Sequence, residues 1–325
     1  MNEGDRINRE NQGNRPNQIR RKSPFWSLAG PLFGFLAIQG GVQMLIQLVI
    51  EMPYAMNGYM EVMQSGSQTT FQELMESYLQ SMEPALEAVA RHQVEIAAAA
   101  SLCTMILTGI LFVRDRRLEK VCGIVLPEKA PLRKYWTVLV FGIAGSIAAT
   151  CLMAMVQLAF YDDQYQQSAQ IIYSAGIAVQ ILGLGIVIPV AEELTFRGVL
   201  YKRFRERQGF WYSAVCSSIL FAFMHSNTTQ MIYAFLLGLF LCYIYEKFGS
   251  FKAPVFLHVI LNTGSVVFTE LGVFTWIAGE PMRMAGAVIF GAFVCSVMFV
   301  LIQRMEGKVN SGYTDRDRDR MDMFR

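Results

Sequence analysis

Charge is scarce in this chain. Only 17% of its 325 residues are Asp, Glu, Lys or Arg, where a soluble domain carries about 25%. Histidine is scarcer still, with three in all: His92, His225 and His258. No CxxC pair occurs among the six cysteines, which excludes a zinc ribbon and argues against a disulfide framework. They read as small apolar fillers. No HExxH stretch and no internal repeat is present. What fills the chain instead is apolar side chains, 53% of the total, with a mean hydropathy of +0.33. The composition is that of a membrane protein. A formal net charge of +2 gives no reason to expect a nucleic-acid partner.

A membrane-spanning helix needs about 20 mostly apolar residues. Eight blocks approach that: 25–50, 93–113, 136–160, 171–192, 210–225, 229–246, 253–275 and 284–303, the fifth being short. Pro189 in the fourth predicts a kink. The first 22 residues are polar and basic, and the apolar stretch after them lacks a small-residue cleavage site, so an anchor is expected and not a removed signal peptide. Residues 51–91 carry six Glu against Arg91, whereas 114–134 and 202–207 are basic. Every second connection is basic, which by the positive-inside rule puts both termini in the cytoplasm of a multi-pass cell-membrane protein. The expected fold is an all-α helical bundle of about eight transmembrane helices. Its parts are a basic tail (1–22), two N-terminal spans with an acidic outer loop at 52–92 (23–134), a core (135–303) and a charged tail (304–325) expected to lack structure. Met63, Phe71, Met75, Tyr78 and Met82 recur at helical spacing, so the outer loop reads as a surface amphipathic helix or a solvated one. The run "YKRFRER" is a topology signal before it is a binding site for anionic lipid.

Ionisable groups at membrane depth are functional suspects. Glu192, Glu193 and Arg197 follow an apolar run, and His225 and His258 sit in or at the end of others. If the fourth helix continues to about residue 206, Glu192 lies ~20 Å back from the turn that follows, and His225 is reached ~23 Å into the next, antiparallel helix. The two should be level. His258 and Asn262, at i and i+4, share a face of the seventh helix. Glu193 and Arg197 have the favourable i, i+4 order for an ion pair. Glu192, about 100° round the helix, is free to face a pocket. Each feature has a blander reading. The acids could mark a helix end at the interface, His225 a cap, and His258 with Asn262 interhelical glue.

Taken together, "EELTFR" (192–197), "FAFMH" (221–225) and "HVILN" (258–262) are EExxxR, FxxxH and HxxxN in order. They resemble the three motifs of the CAAX protease and bacteriocin-processing (CPBP, or Abi) family of intramembrane proteases, which includes the type II CAAX prenyl endopeptidases. The resemblance spans about 135–303. It implies that Glu192 activates water with His225 beside it, that His258 and Asn262 steady the oxyanion, and that Glu193, Arg197 and the substrate-side Phe221 fill supporting positions. The ligand set Glu192, His225 and His258 would suit Zn²⁺, but the motifs serve a metal-free mechanism too, which is the preferred form. The implied partner is a membrane-associated peptide or protein within the membrane lipid, and bacteriocin or pheromone maturation fits a bacterial membrane. A non-catalytic binding or immunity protein using the same pocket is the alternative.

Overall fold

The computed structural model describes residues 24–64, 70–125, 127–159 and 162–305, with 313–314, 317–318 and 320–321 of the C-terminal tail. The basic tail at 1–22 lies outside the described residues. Those described form helices and no strand. In chain order they are α1 (Pro24–Gln64), α2 (Phe71–Arg91), α3 (Gln93–Val121), α4 (Tyr135–Ala159) and α5 (Asp163–Tyr173). Then come α6 (Ile177–Arg205), α7 (Phe210–Ala222), α8 (Thr228–Phe248), α9 (Lys252–Glu270), α10 (Val273–Ala278) and α11 (Pro281–Gln303).

Seven of these, α1, α3, α4, α6, α8, α9 and α11, are long and apolar enough to cross a membrane, and the chain is a multi-pass membrane protein. The expected fifth block, α7, has only 13 residues, ~20 Å of helix against a ~30 Å hydrocarbon layer. Its length is set by His225 and the Ser226–Asn227 turn, where the Asn227 carboxamide oxygen accepts the Gln230 N–H and starts α8. The acidic 52–92 segment also departs from a loop. α1 runs on for 41 residues, ~60 Å, and α2 folds back along it so that Gly58 lies against Ser81 and Tyr78. Thr70 and Glu73 form a capping box that starts α2. The Thr70 N–H holds the Glu73 carboxyl below the usual carboxylate range.

α4 is the centre of one half of the bundle, with α9 and α11 against it. Glycines set those approaches, as small residues do between membrane helices. A Cβ on Gly142 would meet Ile260, one on Gly264 would meet Ser146, and one on Gly291 would come within 2.7 Å of Ala148 Cβ and 3.1 Å of the Ala144 carbonyl. Val138, Leu241, Ile244, Phe248, Leu257 and Ile302 fill the space between α4, α8, α9 and α11. α8 stops at Gly249, whose φ of +55° favours glycine and whose missing side chain admits the Glu128 carbonyl.

One end of the bundle is tied by ion pairs. Arg203 holds Asp115 through Nε at 2.7 Å and Nη2 at 3.2 Å. Lys202 and Arg116 share Glu119, and Arg205 holds Glu246 at 2.9 Å. The basic run at 202–205 joins α6 to α3 and α8, a role additional to its reading as a topology signal. Asp115 and Glu119, one turn apart on α3, were the sequence's clue. The described tail residues also depart from an unstructured segment. Tyr313 donates to Glu119 Oε1 at 2.5 Å, Arg320 donates to the Cys122 carbonyl at 3.2 Å, and Met321 is buried.

Replacing Gly291 by Val should lower unfolding stability in detergent by about 1–3 kcal/mol through overpacking. Gly286→Val, which meets nothing within 4 Å, should cost clearly less. Equal losses by thermal scanning would contradict the α4–α11 contact.

Candidate active site

The site is built on α6, α7 and α9. Its first determinant is backbone. α6 contains two π-helical stretches, Ile181–Val187 and Leu194–Tyr201, on either side of the α-helical Ile188–Glu193 that carries the paired acids. The sequence predicted a disturbance at Pro189, and the structure has widened turns on either side of the α-helical stretch that contains it. In the first stretch the Ile188 N–H reaches back to the Gly183 carbonyl, five residues away. Leu184 thereby loses its ordinary i+4 donor, and its i+5 position is Pro189, which has no N–H. Asn262 Nδ2 supplies the missing bond to the Leu184 carbonyl at 3.2 Å. Thr263 Oγ1 does the same for the Gly185 carbonyl at 3.2 Å, whose i+4 residue is again Pro189. Neighbouring polar side chains are how a membrane helix tolerates such freed carbonyls. Gly185 has to be glycine here, since a Cβ would stand 2.6 Å from Thr263 Oγ1.

These bonds fix the register of α9 against α6 and bring His258 to the two acids. Its Nδ1 lies 3.0 Å from Glu193 Oε1, and its Nε2 lies 3.8 Å from Glu192 Oε2. Glu193 Oε1 also accepts from Arg197 Nη1 at 2.7 Å, and neither residue of that pair has any exposed side-chain surface. The result is a chain from Arg197 through Glu193 and His258 to Glu192. A carboxylate can only accept, so the Nδ1 of His258 carries a proton, and in the neutral imidazole Nε2 then presents a lone pair towards Glu192. The expected Glu193–Arg197 pair is present; its bond to His258 went unforeseen, because spacing along one helix says nothing about a partner on another. Glu192 keeps 19% of its side-chain surface accessible, which separates it from its fully buried neighbour.

Phe221 of α7 is the hub of the other side. The Arg197 guanidinium stacks over its ring with Cζ 4.3 Å from the centroid. His225 and His258 both meet that ring edge to face, at 5.2 and 5.9 Å between centroids. Phe221 thus packs against both imidazoles. The Nδ1 of His225 lies 3.2 Å from the Phe221 carbonyl, so in its donating tautomer Nε2 is the free nitrogen. Glu192, Glu193, Arg197, Phe221 and His258 are drawn into one cluster, with His225 joined to it through Phe221 and Asn262 through the α6 backbone.

Gly238 of α8 was missed by sequence reasoning. A Cβ there would stand 3.1 Å from Arg197 Nη2 and 2.8 Å from Ser218 Oγ. Its absence makes room for the guanidinium between α7 and α8. An isolated glycine in an apolar helix was the available signal. Among the described residues, no three His, Cys, Asp or Glu side chains are grouped to hold one metal ion. The Glu192–His225–His258 set is therefore not drawn together as a zinc site would require, and no step is routed through a metal below.

Comparison with known proteins bears on the same segment. Residues 174–264 match the family model described as type II CAAX prenyl endopeptidase Rce1-like. That interval holds all seven site residues and is narrower than the 135–303 read from the sequence. The chain is 23% identical over 118 residues, 36% of its length and 48% of the relative's, to the "Putative membrane peptidase YdiL" of Bacillus subtilis (strain 168). It is 31% identical over 97 residues, 28% of its length and 45% of the relative's, to an "Uncharacterized 24.3 kDa protein" of Escherichia coli. The chain thus spans just under half the length of either curated relative. No solved structure matches it.

The two adjacent acids should behave differently. Glu193→Gln leaves Arg197 buried without its charge partner and should cost about 3–5 kcal/mol of stability. Glu192→Gln, with part of its surface accessible, should stay within about 1 kcal/mol. Chemical denaturation of both variants in the same detergent reads the difference, and a reversed order would contradict the burial assigned here.

Proposed function

Because residues 174–264 match the type II CAAX prenyl endopeptidase Rce1-like family model, we propose that the chain is an intramembrane endopeptidase. It hydrolyses a peptide bond in a membrane-associated polypeptide. The observation that carries this reading is the position of His258 between two glutamates of unequal burial, one locked by Arg197 and one partly accessible.

Peptide hydrolysis needs a base for water, donors for the oxyanion and a proton for the leaving amine. Glu192 takes the proton of a water held against it and His258 Nε2. At 3.8 Å the two atoms are too far apart for a direct bond and close enough for one water to reach both. The water oxygen forms the new bond to the carbonyl carbon as the carbonyl pair moves onto oxygen. Glu192 passes that proton on to His258 Nε2, making an imidazolium that Glu193 stabilises at Nδ1 while Nε2–H donates to the oxyanion. Asn262 has a second amide N–H beyond the one given to Leu184, which serves as a further oxyanion donor. Collapse of the tetrahedral species breaks the C–N bond, and the proton first taken from water leaves with the amine. His225 stands on the opposite edge of Phe221 and is assigned to assist that transfer through Nε2.

In this role Glu193 resembles the orienting acid of a catalytic triad: it fixes a tautomer and holds the resulting cation. Arg197 prevents Glu193 from claiming the proton. Metal dependence is an alternative that the residue grouping does not support.

The decisive test is membrane proteomics of cells expressing wild type or Glu192→Gln, scoring newly formed peptide termini. Removing the base should reduce turnover about 10²–10⁴-fold, so termini made by the wild type should vanish. Undiminished cleavage refutes the assignment. An intact cellular phenotype with no change in termini would favour a binding or immunity protein instead.

A further inference from the structure

A cavity of about 440 Å³ opens at the basic end of the bundle, between α3, α6, α8 and the start of α9. It is separate from the catalytic cluster: along α6 it begins at Tyr201, nine residues beyond Glu192, ~14 Å of helix. Phe112, Ile124 and Phe251 form its apolar wall, while Lys120, Lys129 and Lys252 stand on its rim. Those three lysines are exposed and form no ion pair among the described residues. The deeper cations are spoken for, Arg116 and Lys202 by Glu119 and Arg205 by Glu246. Tyr313 of the tail closes one side, its hydroxyl on Glu119 and its ring 5.8 Å from Lys202 Nζ. The pocket therefore has a floor of paired charges, an apolar wall and a rim on which three lysines outnumber one carboxylate, Asp317, itself bonded to Thr314.

We propose that this cavity binds an anionic phospholipid of the surrounding leaflet. The phosphate sits among Lys120, Lys129 and Lys252, and the upper acyl chain lies against Phe112, Ile124 and Phe251. Two observations favour a lipid over a soluble anion. The wall is apolar, which a phosphate alone cannot use. Val125 at the mouth is 94% exposed and Val121 beside it 70% exposed, a cost in water that disappears among acyl chains. Juxtamembrane lysines gain from anionic headgroups in just this setting.

The test uses the full chain purified in mild detergent, with native mass spectrometry of retained phosphatidylglycerol and phosphatidylcholine. The wild type should retain phosphatidylglycerol about tenfold better, and Lys120→Gln/Lys129→Gln/Lys252→Gln should lose most of that preference, as expected for three removed headgroup contacts. The control Arg114→Gln/Arg117→Gln/Lys134→Gln removes exposed charge near the same end but outside the cavity, and should leave the preference unchanged. Equal retention of the two lipids overturns the proposal, as does a control that loses as much as the cavity variant. Glycerol phosphate competing as well as the lipid overturns the lipid assignment in favour of a soluble anion. Because the readout is binding, it stands or falls independently of peptidase activity.

Discussion

An arginine with no exposed side-chain surface, enclosed by apolar helices, is the constraint on which the rest of this structure depends. Arg197 cannot shed its proton, so its charge must be met inside the bundle. Glu193 meets it at 2.7 Å and Phe221 meets its face. Low polarity strengthens both contacts and makes each expensive to lose. Once Glu193 is committed to Arg197 it can only accept further bonds, and the donor it finds is His258. One buried charge thereby orients an imidazole three helices further along the chain and sets its second nitrogen 3.8 Å from Glu192. The arrangement of the candidate site follows from the electrostatic one.

The backbone of α6 makes that arrangement attainable. Two π-helical stretches bracket the acids, and such stretches are frequent at functional sites. They cost hydrogen bonds, and α9 restores two of them with Asn262 and Thr263. The same helix that presents His258 is thus clamped to the helix that presents Glu192 and Glu193. Asn262 accordingly has a structural bond as well as its proposed donor role, and both of the readings open at the sequence level are compatible with one carboxamide.

Much of this was legible in the residues. The all-α membrane class follows from scarce charge and long apolar blocks, and the order EExxxR, FxxxH, HxxxN was enough to nominate the site. The Glu193–Arg197 pair follows from i, i+4 spacing because both lie on one helix. What could not be read required knowledge of neighbouring helices. Nothing local marks His258 as the partner of Glu193, or Gly238 as the space for a guanidinium. A proline predicts a disturbance in α6, but whether the chain bends or widens depends on who can satisfy the freed carbonyls. The ion pairs of the basic run at 202–205 are hidden from the sequence because its partners, Asp115, Glu119 and Glu246, lie 41 to 88 residues away. The fifth apolar block, short already in the sequence, is a 13-residue helix ended by a turn that hydropathy does not register.

The central claim is that Glu193 holds His258 with its proton on Nδ1 and its lone pair on Nε2, facing Glu192. Nitrogen-15 NMR of the histidine side chains, assigned by comparison with His258→Gln, reads this directly. At neutral pH the account requires a protonated Nδ1 and an unprotonated Nε2 for His258. A proton on Nε2 with Nδ1 bare would contradict it, because His258 would then offer Glu193 no hydrogen bond and could not share a water proton with Glu192.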